Sequence, residues 1–454
     1  MNGGETVKRL HVWSVLVVVL ALVLAACGGT TTTTTTEAST GTTAASATTT
    51  TTAATGTTEG TTAAPVTQVV TIGFTASITG KYNTESTRQV NALQLWMDDV
   101  NNAGGIQLSD GTVLMFEAKS YDDESNKDRV QELYTTLATT DNADFLISPY
   151  SSGLTAAASV IAEQYGKVMI TTGAASDDNY KQGYTGVYQV YTPSSRYLTS
   201  SIDLLASLDS TAKKLAFVYE NSTFSTGVAE AAKAYAEANG YDVVLYEGYD
   251  AGTSDFSAII NKVQSAAPDA ILGGGHFADG EALARQLNEK QVPVKFVSLL
   301  VAAPEPSFAE LGDAAKGIAG PSQWEPQVKF TEEGAMADGT TWIGPTGDDF
   351  VSEYTAAYGE EPSYHAAGGY AAGLLLQYAI QTADSIDPDA IKAALDGANL
   401  TTFYGNMKFD TSADSHGLQT GHAMVVVQWD NNLEKQIVWP ESAATAAPIY
   451  PLGQ

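Results

Sequence analysis

A single cysteine, Cys27, stands in a chain of 454 residues. No disulfide can close within one copy, and no cluster of thiolates can hold zinc. Basic side chains are scarce as well: 22 Lys and Arg face 52 Asp and Glu, leaving a net charge of −30. A field of that sign repels phosphate backbones and anionic headgroups, which sets aside nucleic-acid binding and charge-driven membrane attachment. Its plain meaning is a well-solvated surface. The "GGGH" at 273–276 lacks the GxGxxG order that cradles a dinucleotide phosphate. His416 and His422 flank a turn without a clear third metal ligand, and no motif places a Ser-His-Asp set or a carboxylate pair. No fixed-period repeat occurs, so solenoids are excluded.

What is present begins at the N-terminus. Lys8 and Arg9 precede an apolar run from Val12 to Ala26, the order of a secretory signal. The run is short for a membrane span, which takes roughly 20 residues. Leu24-Ala25-Ala26 stands just before Cys27, with Gly28-Gly29 after it. This resembles the bacterial lipobox, whose cysteine becomes the lipidated first residue of the mature protein. Thr30 to Ala64 is almost entirely Thr, Ala, Gly and Ser. Such a segment buries too little apolar surface to offset its ordering entropy, so a disordered tether is expected. The reading is a signal peptide over 1–26, a tether over 27–66, and a cargo held outside the cytoplasm.

From Val69 onward, β-rich runs alternate with helical patterns. Strands are expected in "VVTIGFTA" (69–76), "VLMFEAKSY" (113–121), "DFLISPY" (144–150), "KVMITTGA" (167–174), "KLAFVYE" (214–220), "DVVLYEGYD" (242–250), "DAILGGG" (269–275) and "KFVSLL" (295–300). Val90, Leu93, Met97 and Val100 share one face of a helix that Gly104-Gly105 stops. A second helix ends at Asn239-Gly240, and a third has Asp279 as its expected N-cap. Later, 368–384 and 387–395 read as helices and 406–430 as a hairpin. Strand–helix alternation of this length means parallel sheets with helices on both faces, and eight strands are too many for one core. The expected class is α/β with two lobes.

The order of segments carries a resemblance. "IGFTASITG", "LQLWMDDVNNAGGI", "YDDESNKDR", "ISPYSSGLTAAAS", "MITTGAAS", "LAFVYENSTFSTGVAEAAK", "GTSDFSAIINKVQSAAPDAILGGG" and "GDAAKGIAG" follow one another between 72 and 320. Together they resemble the type I periplasmic binding proteins of ABC importers, in the leucine/isoleucine/valine- and amide-binding branch. The resemblance covers roughly 67–430. It implies two lobes joined by three crossings: lobe 1 over 67–190, lobe 2 over 191–318, a return mainly to lobe 1 over 319–404, and a lobe 2 hairpin and tail over 405–454. It also implies a monomer without cofactor or catalysis. Such a chain would be lipid-anchored through Cys27 on the outer face of the cytoplasmic membrane and would serve an ABC permease with its ATPase subunits. A ligand sensor on the same fold and an extracytoplasmic α/β enzyme are the rival readings.

Candidate site residues follow from both lines. Ser151-Ser152-Gly153 comes after a strand and opens a helical pattern, and a hydroxyl beside free helix N–H groups suits a carboxylate. Simple N-capping by serine is the alternative, and both can hold at once. By resemblance Ser152 matches the carboxylate-binding serine, and Gly173, Ala174 and Ala175 match a segment offering backbone groups, although Ala175 replaces the threonine. Phe224 and His276 occupy family tyrosine positions, and His365 replaces an aromatic wall residue. Leu300 falls where amino-acid binders carry the acid that neutralises the α-ammonium. Either Glu85 or Glu325 substitutes for that acid, or the ligand has no ammonium. His276, His365 and Trp324 would suit a flat or anionic ligand, a purely structural role for each histidine being equally open. The expectation is capture of a small carboxylate-bearing solute, an amino acid or a relative of one.

Overall fold

The computed structural model describes residues 66–453. The leader, Cys27 and nearly all of the Thr-rich tract lie outside them. Thr67–Ala76 forms the middle of a six-stranded sheet, where Val70, Ile72 and Phe74 are buried between helices. Its neighbours run in the order Ile106–Gln107, Val113–Asp122, Thr67–Ala76, Phe145–Ile147, Val168–Thr171, Val187–Gln189. All pairs are parallel except the short first one. The second sheet has seven strands, in the order Lys435–Trp439, Val425–Trp429, Ala319–Ser322, Phe296–Leu299, Ala270–Gly274, Lys214–Glu220, Asp242–Tyr249. Its first two strands join antiparallel and the rest are parallel. A small sheet joins Thr341–Trp342, Leu400–Thr402 and Gly405–Met407. This is an α/β fold in two lobes, each a largely parallel sheet flanked by helices. Among the described residues no helix is long and apolar enough to cross a membrane.

The chain passes between the two sheets three times, near Thr192, Gln323 and His422. These segments are bonded to one another. Thr192 N–H donates to Gln323 Oε1 at 2.9 Å, and His422 Nε2 meets the Gln323 carbonyl at 2.8 Å. Burial pulls His422 down to about 4, so the ring is neutral at pH 7 and Nε2–H is the donor.

All eight expected strands form. The 406–430 hairpin forms only as one antiparallel bridge, Phe409 with Gln419. Gly405–Met407 folds back on Leu400–Thr402 instead, while Val425–Trp429 pairs with Ala319–Ser322 and Lys435–Trp439. The intervening stretch is rich in Asp, Ser and Gly, and apolar alternation resumes only at Met424. The helix Phe277–Glu289 also starts earlier than read: His276 is its N-cap, and Asp279 sits inside the first turn, accepting the His276 N–H at 2.8 Å.

The apolar helix Tyr364–Ala383 lies against the helix Asn83–Asn102. Small residues permit this: a Cβ on Gly369 would stand 2.0 Å from the Gln89 carbonyl oxygen. No rotamer change relieves a clash with backbone. Gly369→Ala is therefore expected to cost about 1–3 kcal/mol net of alanine's better helix propensity. Urea denaturation measures this; an unchanged midpoint would mean the helices separate freely.

Candidate functional site

Ligands of parallel α/β sheets sit beyond the carboxyl ends of the strands. The strand Phe145–Ile147 leads to Tyr150 and Ser152, Val168–Thr171 to Gly173 and Ala175, and Val187–Gln189 to Tyr191. From the second sheet, Lys214–Glu220 leads to Phe224, Ala270–Gly274 to His276, and Phe296–Leu299 to Val301. These residues, with Tyr197 and Tyr364, line one small cavity. A larger hollow beside Leu287, Gln291 and Leu452 lies at the opposite, amino ends of the second sheet's strands. The loops 291–294 and 313–318 that line it precede their strands.

Ser152 is the first residue of the helix Ser152–Gln164, after Ser151 as N-cap. The Ser151 side chain caps nothing, so the helix's first N–H groups are not taken by a cap. Ser152 Oγ accepts from the N–H groups of Ala175 at 3.1 Å and Ser176 at 3.0 Å. With its lone pairs engaged, its own proton is left to donate. Gly173 holds the facing loop in a left-handed turn, φ +74°, and a Cβ there would stand 2.3 Å from Gln89 Oε1. Opposite, His276 Nδ1 lies 2.8 Å from Glu220 Oε2, and Lys81 reaches the other Glu220 oxygen at 3.3 Å. Burial works against a charged His276, but Tyr82, Glu220 and Glu85 lift it to about 10. Burial likewise works to raise Glu220, yet His276, Lys81 and Ser222 hold it down to about 2. The pair is an imidazolium and a carboxylate at neutral pH. Rings complete the enclosure: Tyr150 and Phe224 stand 5.8 and 5.9 Å from the His276 ring, and Tyr191 stands 5.7 Å from Tyr364.

Of the residues singled out in the sequence, Ser152, Gly173, Ala175, Phe224 and His276 are brought together on this wall. Ser151 and Ala174 are buried beside it, Ala174 offering its carbonyl to Gln189. Glu85 is off the wall, its Oε1 accepting Phe277 N–H at 3.0 Å. That bond joins the helix Asn83–Asn102 to the N-terminus of Phe277–Glu289. Trp324 is elsewhere: its Nε1–H donates to the Phe403 carbonyl at 3.0 Å, and its ring packs on Phe350 and Phe403. His365 stands behind Tyr150 and Tyr364, its Nδ1 bound to Glu305. Burial holds it down to about 3, hence neutral. Glu325 pairs with Lys435 at 2.8 Å. The sequence reading missed Tyr150, Tyr191, Tyr197, Tyr364 and Val301. Tyr150 and Tyr191 had a usable signal, each following a strand by a few residues. Among the described residues no group of three His, Cys, Asp or Glu is placed to hold a metal ion.

With this geometry in view, comparison with known proteins is direct. The family model described as "Periplasmic binding protein" matches residues 69–434. The Leu/Ile/Val-binding protein homolog 7 of Brucella melitensis is 23% identical over 390 residues, covering 84% of this chain and 94% of its own. An amino acid binding protein of Pseudomonas aeruginosa is 25% identical over 334 residues, 74% of this chain and 83% of its own. Two crystal structures share the fold. One is the branched-chain amino acid transporter substrate-binding protein LivJ from Streptococcus pneumoniae, in complex with isoleucine (TM-score 0.68, 23% identity, 82% of this chain and 100% of that one). The other is an ABC transporter solute-binding protein from R. palustris, in complex with benzoate (TM-score 0.68, 18% identity, 84% and 98%). Two sheets facing one cavity, and a family match spanning both, lead to one assignment: the chain belongs to the periplasmic binding protein family and has its type I fold.

Proposed function

We propose that this protein captures a small carboxylate-bearing solute between its two lobes and delivers it to a membrane permease driven by ATPase subunits. In this reading a lipid on Cys27 holds it at the outer face of the cytoplasmic membrane, with residues 27–66 as the tether. The observation that carries the proposal is the placement of the Ser152 hydroxyl and its helix N-terminus in one cavity with the His276 imidazolium. A carboxylate between them meets a hydroxyl donor, a helix dipole and a cation, from both lobes at once. Only a closed arrangement offers all three, so the solute favours closure by its differential affinity. Glu85 on Phe277 N–H and Lys81 on Glu220 add contacts across the same gap. The Lys81 pair is half-exposed and contributes below about 1 kcal/mol.

Ser152→Ala tests the reading. The variant leaves the Ala175 and Ser176 N–H groups without their acceptor and removes the donor to the solute. Affinity is expected to fall about 10-fold or more, by 1.4 kcal/mol per decade, with the fold retained. Calorimetry with the solute found by a thermal-shift panel measures it. Unchanged affinity would remove Ser152 from the site.

A further inference from the structure

The cavity wall carries one cationic side chain and no carboxylate. The buried acids around it stand off the wall, and all but Glu85 are paired with a cation or a hydroxyl. Glu85 takes Phe277 N–H, Glu220 takes His276 and Lys81, Asp279 takes His276 N–H and the Tyr249 hydroxyl, and Glu305 takes Arg88 and His365. Leu300 is buried in the apolar core, with its N–H on the Gly273 carbonyl. Val301, next along, presents an aliphatic surface to the cavity. An ammonium group in this space would be stripped of water without an acid to meet it, and such a group is costly to bury. Ring faces attract cations, but an imidazolium in the same enclosure opposes that attraction.

The uncharged polar groups nearby lie on and behind the wall. Gln89 Oε1, Thr172 Oγ1 and the Tyr191 hydroxyl are buried without hydrogen-bond partners. The first lies beside Gly173. The other two flank Gly368, where a Cβ would stand 2.8 Å from Thr172 Oγ1 and 3.2 Å from the Tyr191 oxygen. Of the three only Tyr191 lines the cavity, and none supplies a charge. The remaining wall is aromatic: Tyr150, Tyr197, Phe224 and Tyr364.

We infer that the solute is a flat, aromatic carboxylate without an α-ammonium group. The inference rests on the carboxylate capture proposed above and narrows it to one substrate class. Matched pairs test it by calorimetry on the purified full chain: hydrocinnamate against L-phenylalanine, and isocaproate against L-leucine, each pair differing only by the ammonium. Phenethylamine serves as the cation without a carboxylate. Hydrocinnamate is expected to bind about 10-fold or more tightly than phenylalanine and more tightly than isocaproate, and phenethylamine is expected to give no binding. Tighter binding of either amino acid than of its deaminated partner overturns the inference and leaves carboxylate capture standing. Binding of phenethylamine alone, or of no carboxylate by a chain that melts cooperatively, removes both. In Val301→Asp, which sets an acid on the wall, the ratio within each pair should move toward the amino acid. A folded variant with an unchanged ratio also overturns the inference, because the missing acid would then not set the preference.

Discussion

Replacing His276 with glutamine is expected to weaken solute binding about 100-fold or more and to flatten the alkaline limb of the stability profile. Glutamine keeps a hydrogen-bonding group at the helix N-cap but no charge. Removing one partner from a buried, hydrogen-bonded ion pair costs roughly 2–5 kcal/mol, and each 1.4 kcal/mol is a decade in affinity. The same change leaves Glu220 buried with Lys81, itself 41% exposed at the side chain, as its remaining cation beside the Ser222 hydrogen bond, so the solute-free protein loses stability too. The pH dependence separates the two effects. His276 titrates at about 10 in the fold against an ordinary 6.5. Its contribution is therefore complete below pH 6.5 and disappears as pH rises toward 10. Glu220 runs the other way: held at about 2 against an ordinary 4.5, it contributes fully above pH 4.5 and loses that contribution as pH falls toward 2. Denaturation midpoints of the parent protein should thus be highest between these limbs. His276→Gln should lose the fall between pH 6.5 and 10. A variant that keeps that slope would show the imidazole is not the group responsible.

The second large effect concerns stability alone. Glu305 is fully buried and binds both Arg88 and His365 Nδ1. Arg88 also reaches Glu360, which is part-exposed, at 3.1 Å. Glu305→Ala would leave a buried guanidinium with that one partner, and would leave His365 with no bond to Nδ1. His365 Nε2 already lacks a partner. Breaking such a network by removing one member costs about 3–5 kcal/mol. Urea denaturation should show the loss. Glu305→Gln should recover part of it, since an amide oxygen still accepts one of the two hydrogen bonds. Equal losses in both variants would assign the effect to the missing charge, and a loss below about 1 kcal/mol would mean the site relaxes around the gap.

Much of the fold could be read from the chain because buried parallel strands are nearly continuous apolar runs. "KLAFVYE" and "DAILGGG" announce themselves in this way. Ala319–Ser322 does not. Its residues are Ala, Gly, Pro and Ser, and it is a strand only because Ser298 on one side and Val425–Gln428 on the other pair with it. Val187–Gln189 is similarly short and owes its place to Met169–Thr171. At the cavity, the serine at a helix start was legible because a strand followed by Ser-Ser-Gly fixes where its hydroxyl falls. Tyr197 and Tyr364 were not, since neither directly follows a strand, and for Tyr150 and Tyr191 a strand's end gives the position but not which way the side chain turns. Trp324 and His365 show the converse. Each sits near the right segment, but the Phe403 carbonyl claims one and the Glu305 carboxylate the other, both more strongly than open space could. The buried pair Arg88–Glu305 and the half-exposed pair Lys81–Glu220 join residues more than a hundred positions apart, and no local pattern announces them.

One consequence follows from Gln323. Its side-chain oxygen holds the first connecting segment through Thr192, its backbone oxygen holds the third through His422, and its amide nitrogen donates to the Tyr197 hydroxyl at 2.7 Å. The three connectors are thus pinned at a common point, and none can twist while the others stay still. Any gaping of the cleft has to swing as a door does, about one axle, without the sideways slip that three independent straps would allow.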